Sequence, residues 1–205
     1  MGLERQVGTV LDGRHQYTVL GRGHQLQVDD HAPDFKLKYI DPVTNELGIL
    51  RLSDFNNSVL ILHLAGGLSL TYKATTAHDL DVLRKGLDVP GEVLKTVTVS
   101  LDPHQRLADI RRRHKISHLL ASALDTPTKF ALEHGALIRY NHQRFLGEAT
   151  FVIAQRTIRY ADYLEDMAQK PNFFKPLEVA KTLSEDVLMD MSLTRVLAEF
   201  SSKPS

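Results

Sequence analysis

The chain has 205 residues, 42% of them hydrophobic, and its 25 lysines and arginines balance 25 aspartates and glutamates. That length suits one domain with a single sizeable core, and zero net charge gives no electrostatic reason to expect a nucleic-acid or membrane-surface partner. There is no cysteine, so disulfides, thiolate metal sites and thiol catalysis are excluded for the chain as written.

Residues 7–20 read as a β-hairpin, "VGTVL" and "YTVLG" around a turn at Asp12-Gly13. In "HAPDFKLKYID" (31–41), Pro33 breaks any helix, and Phe35, Leu37 and Tyr39 alternate with lysines as in a half-exposed strand. "LGILRLSDF" (47–55) continues in strand character to a turn at Ser53-Asp54. "SVLILHLA" (58–65) is apolar on both faces and predicts a buried central strand. A helix over 74–85 follows, with Ala77, Leu80 and Leu83 on its inner face, Asp79 and Asp81 outside it, and Gly86 as its C-cap.

"VLKTVTVSLD" (93–102) is an alternating strand, and Asp102-Pro103 predicts an N-cap and first-turn proline for a helix to about Arg113. A short strand over 116–124, a helix over 126–135 stopped by Gly135, and two strands within 149–164 around Gln155-Arg156 complete the alternating part. Residues 172–183 and 185–200 read as two closing helices, the second N-capped by Ser184. Strands alternating with helices imply an α/β fold, and the closing hairpin makes its sheet mixed. No repeat or low-complexity linker divides the chain, so one domain is expected.

Several of these segments, in this order, resemble the thiol peroxidases, an atypical two-cysteine branch of the peroxiredoxins. They are "LQVDDHAPDFKL" after the hairpin, "LRLSDF", "VTVSLDPHQR", "HGALI", "ATFVIAQRTIRYADYL" and "PNFFKPLEVAKTL". The likeness implies a thioredoxin-like mixed sheet flanked by helices over residues 1–183, including the N-terminal hairpin, with 184–205 as a C-terminal helical extension. It also implies thiol-dependent peroxide reduction, an antioxidant role in redox homeostasis, and no cofactor.

The family's site has a proline, a threonine and the peroxidatic cysteine leading into the first turn of a helix, whose N-terminus favours a thiolate. The thiolate attacks peroxide and becomes a sulfenic acid, which a second cysteine resolves as a disulfide. Laid on this sequence, the proline position falls on Gly67, the threonine on Thr71 and the peroxidatic cysteine on Ala74. The resolving cysteine falls near Ile110, and an arginine from a later strand end near Thr126. Of the chemical parts only Thr71 remains, so no catalytic residue is expected to be active. The chain reads as a family member without its redox site, serving as a partner-binding module. The alternative is a working peroxidase whose cysteine was altered here. The helix amides around Thr71 and Ala74 would still make an anion site.

Other constellations read more plainly. His114 and His118, four residues apart, would sit about 13 Å apart along a strand and are expected to face solvent or cap. "RRRHK" (111–115) fits a solvated helix end, where cations complement the dipole. "HLAGGLS" (63–69) faintly resembles an esterase loop with Ser69 as nucleophile, but lacks the G-x-S-x-G elbow. No metal is expected.

The longest apolar run, Val59–Ala65, is too short to span a bilayer, and the first residues lack the apolar core of a secretory signal. A cytoplasmic protein is expected. The resemblance implies a homodimer. In the tail, Leu183, Val187 and Met191 form one apolar stripe, and Met189, Leu193, Val196 and Phe200 form another.

Overall fold

The computed structural model describes residues 5–11, 16–21, 25–140, 143–164 and 169–201. Two sheets carry the fold. The larger is built from β3 (Lys36–Ile40), β4 (Leu47–Arg51), β5 (Val59–Leu64), β6 (Leu94–Ser100), β7 (Leu119–Ser122), β10 (Ala149–Ala154) and β11 (Thr157–Tyr163). Its strand order is β11-β10-β5-β6-β7-β3-β4. The β5, β6 and β7 strands run parallel, while β10 pairs antiparallel to β5 and β3 antiparallel to β7. This is the expected mixed sheet, with helices α1 (Thr71–Lys85), α2 (His104–His114), α3 (Pro127–Glu133) and α4 (Phe174–Ser201) around it.

The expected central strand is central. All six residues of β5 are buried, and alternate side chains enter different cores. Leu60, Leu62 and Leu64 join a cluster with Phe35, Phe130 and Phe151. Val59 and Ile61 join Leu80 of α1 and Leu177 and Ala180 of α4. Only a strand covered on both faces can carry apolar side chains on both.

The smaller sheet has the order β1-β2-β8-β9. The expected N-terminal hairpin forms as β1 (Arg5–Leu11) and β2 (Gln16–Gly21); its turn at Asp12-Gly13 lies outside the described residues. Sequence reading missed β8 (Leu137–Tyr140) and β9 (Gln143–Leu146), whose hairpin pairs with β2. These strands are four residues each, too short for periodicity to register. At the other hairpin the reading holds, with Gln155 and Arg156 at φ of 50° and 62°, the left-handed pair of a tight turn.

Several expectations need correction. The first closing helix does not end at 183. α4 runs unbroken for 28 residues, because no glycine or proline interrupts 177–201. Ser184 caps nothing; it is buried mid-helix, donating its hydroxyl to the Ala180 carbonyl at 2.7 Å. Asp102 does not cap α2 either, since Pro103 holds the N-cap position without a side-chain bond. α1 begins at Thr71, three residues before the expected start.

Asp81 and His118 also depart from expectation. Asp81 lies fully buried on the inner face of α1. Its carboxylate accepts bonds from Lys85 Nζ (2.8 Å), Ser117 N (3.0 Å) and Ser117 Oγ (2.8 Å), and faces His118 Nδ1 at 3.3 Å. Burial works to raise its pKa, but the bonds from His118, Lys85 and Ser117 overcome this and hold the carboxyl well below its usual range. His118 does not face solvent; with Nδ1 toward Asp81, its Nε2 accepts from the Thr98 hydroxyl at 2.8 Å. In the basic stretch, Arg111 is also turned inward, donating to the Ile40 carbonyl at 3.1 Å.

Among the described residues, His63, His118 and His134 are enclosed. Burial lowers the pKa of His118. It takes His134, stacked 4.2 Å from Phe130, from 6.5 to about 4, and His63 on β5 to about 3. Each binds a proton more readily unfolded than folded. Their contribution to stability is therefore whole above about pH 6.5 and is lost as pH falls from there toward the folded values. The urea midpoint should drop steadily below about pH 6.5, each extra proton steepening the loss by about 1.4 kcal/mol per pH unit. A midpoint unchanged down to about pH 5 would show these imidazoles already protonated in the folded state.

Candidate functional site

The segment between β5 and α1 is positioned by one strict backbone requirement. Gly66 has φ of 66°, and a Cβ there would sit 2.9 Å from the Leu146 carbonyl oxygen. Only glycine fits. Gly67, where the resemblance sets the family's proline, is different, for a Cβ there would meet nothing within 4 Å. The loop is then tied to the end of β6. Ser100 Oγ accepts from Leu68 N at 3.2 Å and donates to Asp102 Oδ2 at 2.7 Å. The Asp102 carboxylate also accepts from Ser69 N at 3.0 Å and from the Ser69 hydroxyl. Asp102 is drawn away from α2 because this loop uses it. Ser69 is bonded to a carboxylate with no histidine base, so the esterase likeness has no geometry behind it.

The chain enters α1 through Leu70, which is extended and offers no side-chain cap. Thr71 is the first helical residue and is exposed; Ala74 lies in the same turn and is 1% exposed. The Ala74 methyl belongs to an apolar cluster with Leu68, Ala77, Leu107, Ile110, Ile116 and Leu120. Ile110, on α2, is where the resolving cysteine was placed. The two residues that the resemblance sets at or near the sulfur positions are therefore hydrocarbon within one packed cluster. Thr126 is the N-cap residue of α3.

The charged side chain that reaches the first turn of α1 from a later strand end is Glu148, one residue before β10. It forms an ion pair with Lys73, and the two side chains are 1% and 2% exposed. His63 Nε2 stands 3.6 Å from Glu148 Oε1, and His63 Nδ1 lies 3.1 Å from the Thr150 hydroxyl. Phe173 closes the far side, its ring edge-on to His63 at 5.2 Å. Burial pushes the Lys73 ammonium from 10.5 down to about 8, so it stays charged at neutral pH. Burial, then the positive charge of Lys73, keep His63 neutral.

This arrangement sets one ammonium against one carboxylate in a dry interior. It offers neither a nucleophilic sulfur nor an oxidisable group. Among the described residues, no group of three or more His, Asp or Glu side chains converges as a metal ion would need. Sequence reading missed Lys73, Glu148 and His63, although a signal existed for the first. Lys73, Ala77 and Leu80 are spaced i, i+4, i+7, which puts a lysine on the inner stripe of an amphipathic helix, where it must find a counter-charge.

No family model matches the chain. Over 162 residues it is 28% identical to a thiol peroxidase of Streptococcus pneumoniae, covering 78% of this chain and 93% of that protein. In fold it is similar to a peroxiredoxin-like protein from Aquifex aeolicus, with a TM-score of 0.69 at 19% identity over 87% of this chain and 99% of that one. It is likewise similar to a thiol peroxidase from Chromobacterium violaceum, with a TM-score of 0.65 at 17% identity over 88% and 99%. The chain is thus a homologue of the thiol peroxidases with a peroxiredoxin fold, and it has no cysteine.

Breaking the buried pair from one side leaves an uncompensated charge in the interior. Lys73→Met should therefore destabilise the protein by about 3–5 kcal/mol in urea unfolding. The double variant Lys73→Met/Glu148→Leu should recover most of that loss, because a well-packed apolar pair replaces an ion pair at little cost. A double variant no more stable than the single one would show that the pair holds the turn by more than charge compensation.

Proposed function

We propose that this chain is a redox-silent thiol-peroxidase homologue that keeps the fold as a binding scaffold in the cytoplasm, pairing with a second copy of itself and docking a protein partner. The observation that carries this reading is Ala74. Thiol-dependent peroxide reduction needs a thiolate that attacks the peroxide bond and leaves as a sulfenic acid, with a second thiol to close the disulfide. An alanine methyl has no lone pair to make that attack. Ile110 offers no resolving thiol, and the chain holds no other sulfur than its methionines.

Two further features support a site turned to another use. The Lys73–Glu148 pair fills the turn with two opposed buried charges. The methyl of Ala74 is packed rather than presented to solvent. No described helix is long and apolar enough to cross a membrane, and the matched relative is bacterial, which suits the cytoplasmic reading.

With a thioredoxin system as reductant, the protein should consume hydrogen peroxide or an alkyl hydroperoxide no faster than background. Ala74→Cys should stay close to background too. Its sulfur would enter an apolar cluster, and burial raises a thiol pKa above its ordinary ~8.5 rather than lowering it. Turnover at an ordinary peroxidase rate from Ala74→Cys alone would mean that the remaining machinery is intact and that the altered-enzyme reading is the right one.

A further inference from the structure

Past Val187, α4 leaves the core and turns one face onto a cleft. Val187, Asp190, Met191 and Thr194 are spaced i, i+3, i+4, i+7, so they share a single helix face. All four line a cavity of about 740 Å³. The facing wall is built from three turns at one end of the large sheet: Asn56 and Asn57 before β5, Glu92 before β6 and Gln155 after β10. Between the walls the surface is apolar, with buried Val93 and Ala154 on the domain side and Val187 and Met191 on the helix. The chain leaves β5 toward Ala74 at the strand's other end, so this cleft is separate from the packed turn at the start of α1.

Small-ligand sites are concave, apolar over most of their lining and of roughly 300–1,000 Å³, with a few polar groups that fix the ligand. Here the charges select its class. Glu92 and Asp190 bring one carboxylate to each wall, and neither side chain has an ion-pair or hydrogen-bond partner among the described residues. No described lining residue carries a positive charge. Arg156, next to Gln155, is turned to Asp34 at 2.6 Å, and Lys95 lies with Asp54 in a shallower groove alongside. The side-chain amides of Asn56, Asn57 and Gln155 are likewise unpartnered among the described residues and offer carbonyl acceptors. An ammonium has three donors and no acceptor, which suits this lining where an anion would be repelled. We propose that the cleft between distal α4 and the turns of β5, β6 and β10 binds a linear aliphatic diamine or polyamine. One ammonium sits against Glu92, another against Asp190, and the methylene chain lies over Val93, Ala154 and Met191. The ligand joins the overhanging half of α4 to its domain. Both carboxylates are exposed, so each charge pair is weak and screened by salt. Binding is therefore reversible and falls as ionic strength rises. This site goes beyond the reading of the chain as a redox-silent scaffold and does not depend on it.

The full chain titrated with hexamethylenediamine, followed by backbone amide chemical shifts, tests this. Saturating shifts should appear at residues 56–58, 92–93, 154–155 and 187–194, which border the cleft, and not around Ala74. The uncharged diol of the same length should leave those amides unmoved. Glu92→Gln and Asp190→Asn should each weaken diamine binding about three- to five-fold, the upper range for an exposed charge pair. Glu185→Gln removes an equal charge from α4 outside the cleft, where Glu185 pairs with Lys181, and should leave binding unchanged. Shifts that do not saturate by about 10 mM diamine overturn the proposal. An equal response to the diol, or equal weakening by Glu185→Gln, overturns it as well. Should a variant unfold, the comparison of diamine with diol on the unaltered chain still decides. Peroxide consumption measures redox silence separately and is untouched by any of these results.

Discussion

The double-sided burial of β5 is the constraint from which the site geometry follows. A strand with Leu60, Leu62 and Leu64 in one core and Val59 and Ile61 in the other cannot slip by one residue without exchanging its faces. Its register with β6 on one side and β10 on the other is consequently fixed. That fixes where the chain leaves the sheet, at Leu64, and where the loop through Gly66 must turn. It also brings the start of β10, and with it Glu148, alongside the first turn of α1. The buried ion pair with Lys73 is a consequence of strand pairing rather than of anything local to the helix.

Around this frame the polar interior is organised into separate groups. Asp81, Ser117, His118 and Thr98 bind α1 to the approach of β7 and to β6. Ser100, Asp102 and Ser69 bind the loop to the end of β6. Lys73, Glu148 and His63 bind the helix start to β10 and β5. An aspartate facing an imidazole that faces a hydroxyl has the outline of a proton relay. Here the hydroxyl of Thr98 is fully buried in the middle of a strand, so no substrate can reach it. These groups rigidify the fold; the apolar packing of Ala74 and Ile110 removes the reason for the turn to open.

α4 divides into two physical regimes. Its first half is a core helix, closing over β5 and β10 through Leu177 and Ala180. Its second half has the propensity and length to remain helical but not the domain surface to lie against. Continuity is cheap because the chain between them has no breaker, and Ser184 satisfies its hydroxyl on the preceding turn. The result is an appendage that exposes Met189, Met191 and Leu193.

The sequence alone determined the class of fold, the central position of 58–65, the two hairpins at 7–20 and 149–164, and the absence of thiol chemistry. Those follow from alternation, turn residues and composition, which are local properties of the chain. It also carried the resemblance that placed Ala74 in the first turn of a helix. It could not place the charges. Asp81 reads as a surface residue of an amphipathic helix and Lys73 stands just before that helix's expected start, and only the approach of Ser117, His118 and Glu148 from distant segments made their burial tolerable. Nor could it end the elements: Asp102 carries an N-cap signature, but its carboxylate is held by Ser69 and Ser100 from across the site. Ser184 has the same signature in a stretch that tertiary packing keeps helical. Capping and charge placement depend on which partner arrives first in space, and that is decided by the sheet, not by the neighbours in sequence.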